Sequence, residues 1–268
     1  MRSKGWFRVV LVVALAVVLA FLTLPVIAIF LQTSPLNLIK SLREDSAQEA
    51  LRLSFECSSM AIGIILLFGT PAAYLLARRR FRGRSTIVTL IELPLVLPPA
   101  VAGIGLLASL GPEGLLGGLV HDAGLELVLS TSGVVIALVF VAAPFYLRQA
   151  QSAFEAIDGT WLDASRTLGA SEMRTFFAVA IPTAGAGLVS GLALAWGRAL
   201  GEFGATLMFA GSFQGITQTV PLAIYTLFAN DFNGALALSA VLVAVSAGLL
   251  LSIKLLTGSS WLGAGASR

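Results

Sequence analysis

Long apolar runs alternate along this chain with short polar connections, many of them basic. Val9 to Leu31 holds no charged side chain. The same is true of Ser58 to Ala77, Leu93 to Gly111, Ser130 to Leu147, Thr175 to Gly197 and Gly234 to Ile253. Each run is close to or above the roughly 18–20 residues that a helix needs to cross a bilayer core. The pattern predicts an all-α integral membrane protein with six transmembrane helices. Composition agrees: 57% of the 268 residues are hydrophobic and 12% charged, against about a quarter charged in soluble domains.

Two stretches qualify the count. Arg2, Lys4 and Arg8 precede the first run as they would in a signal peptide. The apolar core is too long for one, and Pro25 to Phe30 continues it without a small-residue cleavage site, so it reads as an uncleaved anchor. Phe203 to Asn230 is uncharged and long enough for a seventh span, but its centre from Gly211 to Pro221 is polar and broken by glycine. Such a segment makes a poor helix in lipid. It reads as the end of the fifth span, an outer turn, and a short surface helix from about Pro221 to Phe228.

Basic residues orient the spans, because cytoplasmic connections near span ends are enriched in Lys and Arg. Arg2, Lys4 and Arg8 lie at the amino terminus, and Arg78, Arg79, Arg80, Arg82 and Arg84 follow the second span. Arg148, Arg166 and Arg174 surround the loop after the fourth, and Lys254 and Arg268 lie near the end. The first outer loop has Lys40, Arg43 and Arg52, and the second, from Gly111 to Ser130, has none. Both termini are therefore placed in the cytoplasm, and the five arginines from Arg78 to Arg84 read as a topology anchor rather than a nucleic-acid site. The domain plan is a first helix with its outer loop over 1–52, a transmembrane domain over 53–256 with a cytoplasmic loop at 152–178, and a cytoplasmic tail over 257–268. One cysteine, Cys57, and one histidine, His121, leave no basis for an intrachain disulfide or a metal cluster. The net charge of +3 carries no nucleic-acid signal in a membrane protein.

Three segments carry chemistry. The first is DASRTLGASEMRTFFAVAIP, from Asp163 to Pro182, a polar segment between two apolar runs. A helix over about Leu162 to Leu168 brings Leu162, Ser165 and Leu168 near one another. Gly169 then permits a backbone geometry closed to other residues, a second helical piece follows to Phe177, and Pro182 stands where a span would begin. A short protruding helix of this kind suits a groove on a partner; an ordinary connecting loop is the alternative. The second segment is RALGEFGAT, from Arg198 to Thr206, in an extended fifth span. Arg198 and Glu202, four apart, share a face and can pair, about 24 Å along a helix begun at Pro182. Two readings stand: an outer gate near the path of an anion, and a structural ion pair fixing two helices. The third is LPLVLPP, where Pro94, Pro98 and Pro99 break the start of the third span, as tolerated where a helix lines a cavity or is covered by protein. Glu56 and Glu92 read as interfacial carboxylates near opposite surfaces.

The first segment resembles the loop by which permeases of bacterial ABC importers engage their ATPase, usually written E-A-A, three residues, G, nine residues, I-x-L-P. Asp163-Ala164-Ser165 stand for E-A-A, Gly169 for the glycine, Val179 and Ile181 for the aliphatics, and Pro182 for the proline; Asp163 and Ser165 depart from the pattern. Together with ELPLVLPPAVAGIGLL and GRALGEFGATLMFAGSFQGITQTVPLAIYTLF, the segment is similar to molybdate permeases of the molybdate/tungstate/sulfate branch over about Leu53 to Leu256. The resemblance implies a type I importer permease in a bacterial plasma membrane, paired with a second permease copy. It also implies two cytoplasmic ABC ATPase subunits that bind ATP and Mg, and an external oxyanion-binding protein that does most of the substrate selection. On this reading Asp163, Ala164, Ser165, Gly169, Val179, Ile181 and Pro182 couple to the ATPase. Arg198, Glu202, Thr206, Pro98 and Pro99 border the path or its outer gate. No Walker motif is present, so the chain needs no cofactor of its own, and no polar constellation suggests an enzyme. A secondary transporter or channel would predict internal repeats and midplane ionisable residues; no convincing repeat is visible. Within the importers, a sulfate/thiosulfate permease is the nearest rival.

Overall fold

The computed structural model describes residues 3–264, and among these it contains helices and turns with no strand. In chain order, α1 is Ser3–Gln32, α2 Pro35–Arg43, α3 Asp45–Arg78, α4 Arg84–Val96 and α5 Pro99–Leu110. Next come α6 (Gly117–Asp122), α7 (Thr131–Glu155), α8 (Gly159–Thr167) and α9 (Glu172–Thr175). A π-turn at Phe176–Ala180 leads into α10 (Ile181–Leu200), followed by α11 (Gly204–Ala210), α12 (Val220–Phe228) and α13 (Phe232–Ala264). Five stretches are long and apolar enough to cross a membrane: Trp6–Gln32, Asp45–Arg78, Thr131–Glu155, Glu172–Leu200 and Phe232–Ile253. The pair α4 and α5, bent by 117° at their junction, is apolar and long enough to make a sixth as one broken span.

The predicted third span from Leu93 to Gly111 is therefore not one helix. Its break falls at Leu97 and Pro98, between Pro94 inside α4 and Pro99 at the start of α5. Pro98 and Pro99 lack the N–H groups that would continue the ladder, and a residue before proline is pushed toward extended backbone; Leu97 sits at φ −72°, ψ 132°. The helical chain also runs further than expected at the end, since α13 carries the residues read as a tail from 257 on to Ala264. Arg2 and Arg268, used above for orientation, lie outside the described residues.

The spans α3, α7 and α10 pack together through one buried cluster that includes Cys57, Ile65, Leu138, Tyr146, Phe154, Ala184 and Ala195. Small residues along α10 let backbones approach, as is usual between membrane helices: a Cβ on Gly191 would meet Gln149 at 3.0 Å. Polar links cross the apolar contacts. Thr70 and Tyr146 share a hydrogen bond of 2.7 Å, and Trp196 Nε1 donates to Ser58 Oγ at 3.0 Å. A second cluster joins α5, α7 and α11 through Ala102, Leu106, Val141, Ala205 and Phe209. A third seats α12 on α3 and α13 through Ala50, Val220, Ala223 and Leu238, with the Val220 N–H donating to Ser54 Oγ at 2.7 Å. By contrast α1 buries none of its apolar window and leans on α13, as suits a helix bathed in lipid.

The α5–α11 contact gives a sharp packing test. A Cβ on Gly103 would lie 2.7 Å from both the Ala205 carbonyl and Met208 Cβ, whereas one on Gly105 meets nothing within 4 Å. Gly103→Val is expected to destabilise by about 1–3 kcal/mol through overpacking, and Gly105→Val to change little. Thermal melting of the detergent-solubilised protein reads the difference.

Candidate functional site: coupling loop and membrane pathway

The connection after α7 runs from Ala156 to Ser171 and holds α8. Asp158 starts that helix: its Oδ1 accepts the Thr160 N–H at 3.0 Å, the usual N-cap arrangement. That bond holds the Asp158 carboxyl below its ordinary range. A depressed carboxylate pKa means the cap is fully formed above the ordinary carboxylate pKa and is lost only as pH falls through the lowered one. Leu162 anchors the helix from below, buried in the same cluster as Phe154, Ile157 and Ala180. The helix is thus packed on α9 and on the π-turn that leads into α10 rather than lying loose on the surface.

Its end explains the glycine of the motif. Gly169 N–H donates to Arg166 O at 2.9 Å and Ala170 N–H to Ser165 O at 3.1 Å, the paired bonds of a Schellman termination. That termination puts its C′ residue in left-handed backbone, and Gly169 has φ +82°. Two residues later Ser171 caps the next helix by accepting the Arg174 N–H at 3.2 Å. Ser165, where the family pattern has alanine, shares a 3.0 Å hydrogen bond with Thr175 and so ties α8 to α9.

Two expectations need correction here, and one residue was missed. The first helix of the loop ends at Thr167, so Leu168 does not share the face of Leu162 and Ser165. As the turn residue it points outward, 88% exposed. The fifth span begins at Glu172, ten residues before Pro182. Pro182 is carried inside that span because the π-turn just before it makes the Ile181 N–H donate to Phe176 O, an i→i−5 widening that absorbs a residue unable to donate. Lastly, Trp161 was not among the predicted residues. It is exposed and, with Thr160, Ala164, Ser165, Leu168 and Val179, lines a shallow hollow. A tryptophan in a polar cytoplasmic helix was the signal available for it.

The arginines after α3 do more than orient it. Arg78 donates to the Ile157 carbonyl at 2.8 Å, and Arg79 to both carboxylate oxygens of Glu172 at 3.0 and 3.1 Å. The second contact is exposed and by itself worth little. Together they bracket α8 on its entry and exit sides.

At the other end of the fifth span, Arg198 and Glu202 meet, but not on one continuous helix. α10 stops at Leu200, Gly201 breaks the ladder, and Glu202 stands before α11. Glu202 is 1% exposed. One of its oxygens accepts the Ala205 N–H at 2.7 Å, and the other faces the Arg198 guanidinium at 2.5 Å. The carboxylate therefore caps α11 and neutralises the last turn of α10 at once. The predicted residues of the third segment come to the same place: a Cβ on Gly204 would lie 2.8 Å from Pro99 Cβ and 3.2 Å from Ala100 N. Pro98 opens α5 beside this contact. Thr206 is fully buried in α11, its hydroxyl without a hydrogen-bond partner. From Glu172, Arg198 lies about 39 Å along the span at 1.5 Å per residue, which sets this cluster at the outer end. The segment from Gly211 to Thr219 is a compact turn in which Thr217 Oγ1 accepts the Phe213 N–H at 2.9 Å. It leads to α12 as expected, and no seventh span exists among the described residues.

Residues 65–258 match the family described as the inner membrane component of binding-protein-dependent transport systems. The chain belongs to this family. A molybdenum transport system permease protein of Mycobacterium tuberculosis is 39% identical over 235 residues, which cover 88% of this chain and 89% of that one. A molybdate/tungstate transport system permease protein of Pyrococcus abyssi is 33% identical over 245 residues, 90% of this chain and 92% of that one. In shape, the chain is similar to a solved bacterial ABC transporter that imports alginate, with a TM-score of 0.72 at 16% identity over 96% of each chain. An inward-facing methionine ABC transporter gives 0.59 at 18% identity, over 80% of this chain and 94% of that one. The fold is that of a type I ABC importer permease. As such an inner-membrane permease the chain is a transport subunit, works with an ATPase and a substrate-binding protein, and leaves ATP hydrolysis to the separate ATPase subunit.

Proposed function

We propose that this permease carries a tetrahedral oxyanion, molybdate before others, into the cell by alternating access. The observation that carries the substrate is the similarity, over nearly nine-tenths of the chain, to permeases named for molybdenum, molybdate or tungstate. Two copies of the chain pair with the path between them, and an external binding protein presents the anion. ATP and Mg bind the partner ATPases. Asp163, Ala164, Ser165, Gly169, Val179, Ile181 and Pro182 form the coupling element, to which the exposed Trp161 and Leu168 are added. The rigid termination of α8 supports this reading, because a helix wedged by Leu162 and locked at Gly169 passes a partner's rigid-body motion to α7 and α10.

Arg198, Glu202, Thr206, Pro98 and Pro99 frame the outer gate. Their part is to hold α10, α11 and α5 together at one point rather than to grip the anion, since Glu202 already satisfies the charge of Arg198. A path without a tight site suits delivery by a binding protein, because strong retention would slow release. The test is uptake of labelled molybdate in cells with and without the chain, in the presence of excess tungstate or excess sulfate. Chain-dependent uptake blocked by tungstate and untouched by sulfate is the expected result. Block by sulfate would move the chain to the sulfate/thiosulfate permeases, and uptake indifferent to the chain would refute the proposal.

A further inference from the structure

The half-span α4 is attached to the rest of the chain in an unusual way. Where α3 and α7 bury twelve residues each, α4 buries none. Ile87, Leu90, Leu93, Leu95 and Val96 all remain exposed. Charge holds it instead. At its first residue, Arg84 donates through Nη2 to Glu155 of α7 at 2.6 Å and through Nε to the Leu76 carbonyl of α3 at 2.6 Å. Gln151 steadies the same Glu155 oxygen at 2.9 Å. Two turns further on, Glu92 meets Arg148 of α7 at 2.6 Å. Counting from Arg84 and from Glu155, that second pair lies about 10–12 Å inside the cytoplasmic ends of the two helices. Glu92 is thus no isolated interfacial carboxylate. A charge pair at such depth is expensive to keep in lipid and marks function by default.

The far end of α4 is the Leu97–Pro98 break, beyond which α5 is packed on α11 and the Arg198–Glu202 cluster. The near end adjoins the coupling loop, since Glu155 is the last residue of α7 and Arg78 holds Ile157 just beyond it. We propose that α4 is a moving half-span, clipped to α7 by two charge pairs and hinged at Leu97–Pro98. Glu92 and Arg148 are then positioning residues that hold the cytoplasmic end of the path in its resting state until the ATPases move α8. Charge pairs suit this task because they release and re-form over a small displacement, whereas an interdigitated apolar face resists sliding. The inference rests on the importer reading above.

The test uses the complete complex with its ATPase and binding protein in proteoliposomes. Two quantities are read: ATP hydrolysed in the absence of oxyanion, and ATP hydrolysed per molybdate imported. Glu92→Gln and Arg148→Gln are each expected to raise the first at least about fivefold, a shift within the usual range of coupling between sites, and to raise the second. The exchange Glu92→Arg with Arg148→Glu is expected to return both to within about twofold of the parent. A merely structural role would lower the yield of assembled complex and leave hydrolysis per complex unchanged. Hydrolysis within twofold of the parent in both single variants, or an exchange no better than they are, overturns the proposal. Should the single variants fail to assemble, Glu155→Gln at the aqueous rim decides: a raised ratio supports the clip and an unchanged one overturns it. If the parent complex imports no molybdate, the substrate assignment fails, while hydrolysis without oxyanion still judges the clip.

Discussion

Gly169→Leu is expected to cut coupled uptake by about five- to thirtyfold while leaving the protein folded in the membrane. No atom lies within 4 Å of a Cβ at that position, so no clash at Cβ opposes the substitution. The penalty is conformational: at φ +82° a non-glycine residue pays about 1–2 kcal/mol of left-handed strain. The chain relieves it by unwinding the end of α8, which moves Leu168 and breaks the bond from Ala170 to Ser165. A change of that size shifts a docked-versus-free equilibrium by about five- to thirtyfold. Gly159→Ala, at the opposite end of the same helix, is the control: it too has open space, and its φ is not positive. It is expected to import normally. Uptake and ATPase co-purification measured on both variants separate the two, and normal import by Gly169→Leu would remove the loop from the coupling role.

Glu202→Ala is expected to be the most damaging single change in the membrane region. It leaves the Arg198 guanidinium at the end of α10 without its counter-charge and takes from the Ala205 N–H its acceptor. Removing one partner of a buried pair costs about 3–5 kcal/mol, a large part of the stability of an ordinary domain. Glu202→Gln keeps an oxygen for Ala205 and loses only the charge, so it should fall between alanine and the parent. Melting of the solubilised protein in the order alanine, glutamine, parent checks this. If alanine and glutamine melt together, capping contributes nothing and charge alone matters.

Much of the fold is legible in the residues because the bilayer imposes length and polarity so strictly. Five of the six apolar runs appear as single spans, the third is broken where the prolines at 94, 98 and 99 fall, and the glycine of the loop stands where its spacing put it. Gly169 is the clearest case: its spacing pointed to an unusual backbone, and the structure supplies the Schellman bonds that require it. What stayed hidden depends on contacts between distant segments. Glu92 and Arg148 are 56 positions apart, and no periodicity announces that pair. Arg84 reads equally well as an orienting charge until Glu155 and the Leu76 carbonyl are seen beside it. Two errors were local. A proline at 182 resembles a helix start, and only the π-turn before it shows how a helix can run through. Arg198 and Glu202, four apart, suggest one helix face, although Gly201 ends the helix between them and the pair forms across the turn.

The most direct test of the account is molybdate accumulation in proteoliposomes holding the chain with its ATPase, with the binding protein supplied on the outer side. The account predicts accumulation that requires ATP at the ATPase face and loaded binding protein at the other, and that stops when either is withheld. Accumulation without ATP would make the chain a channel or secondary transporter and contradict it.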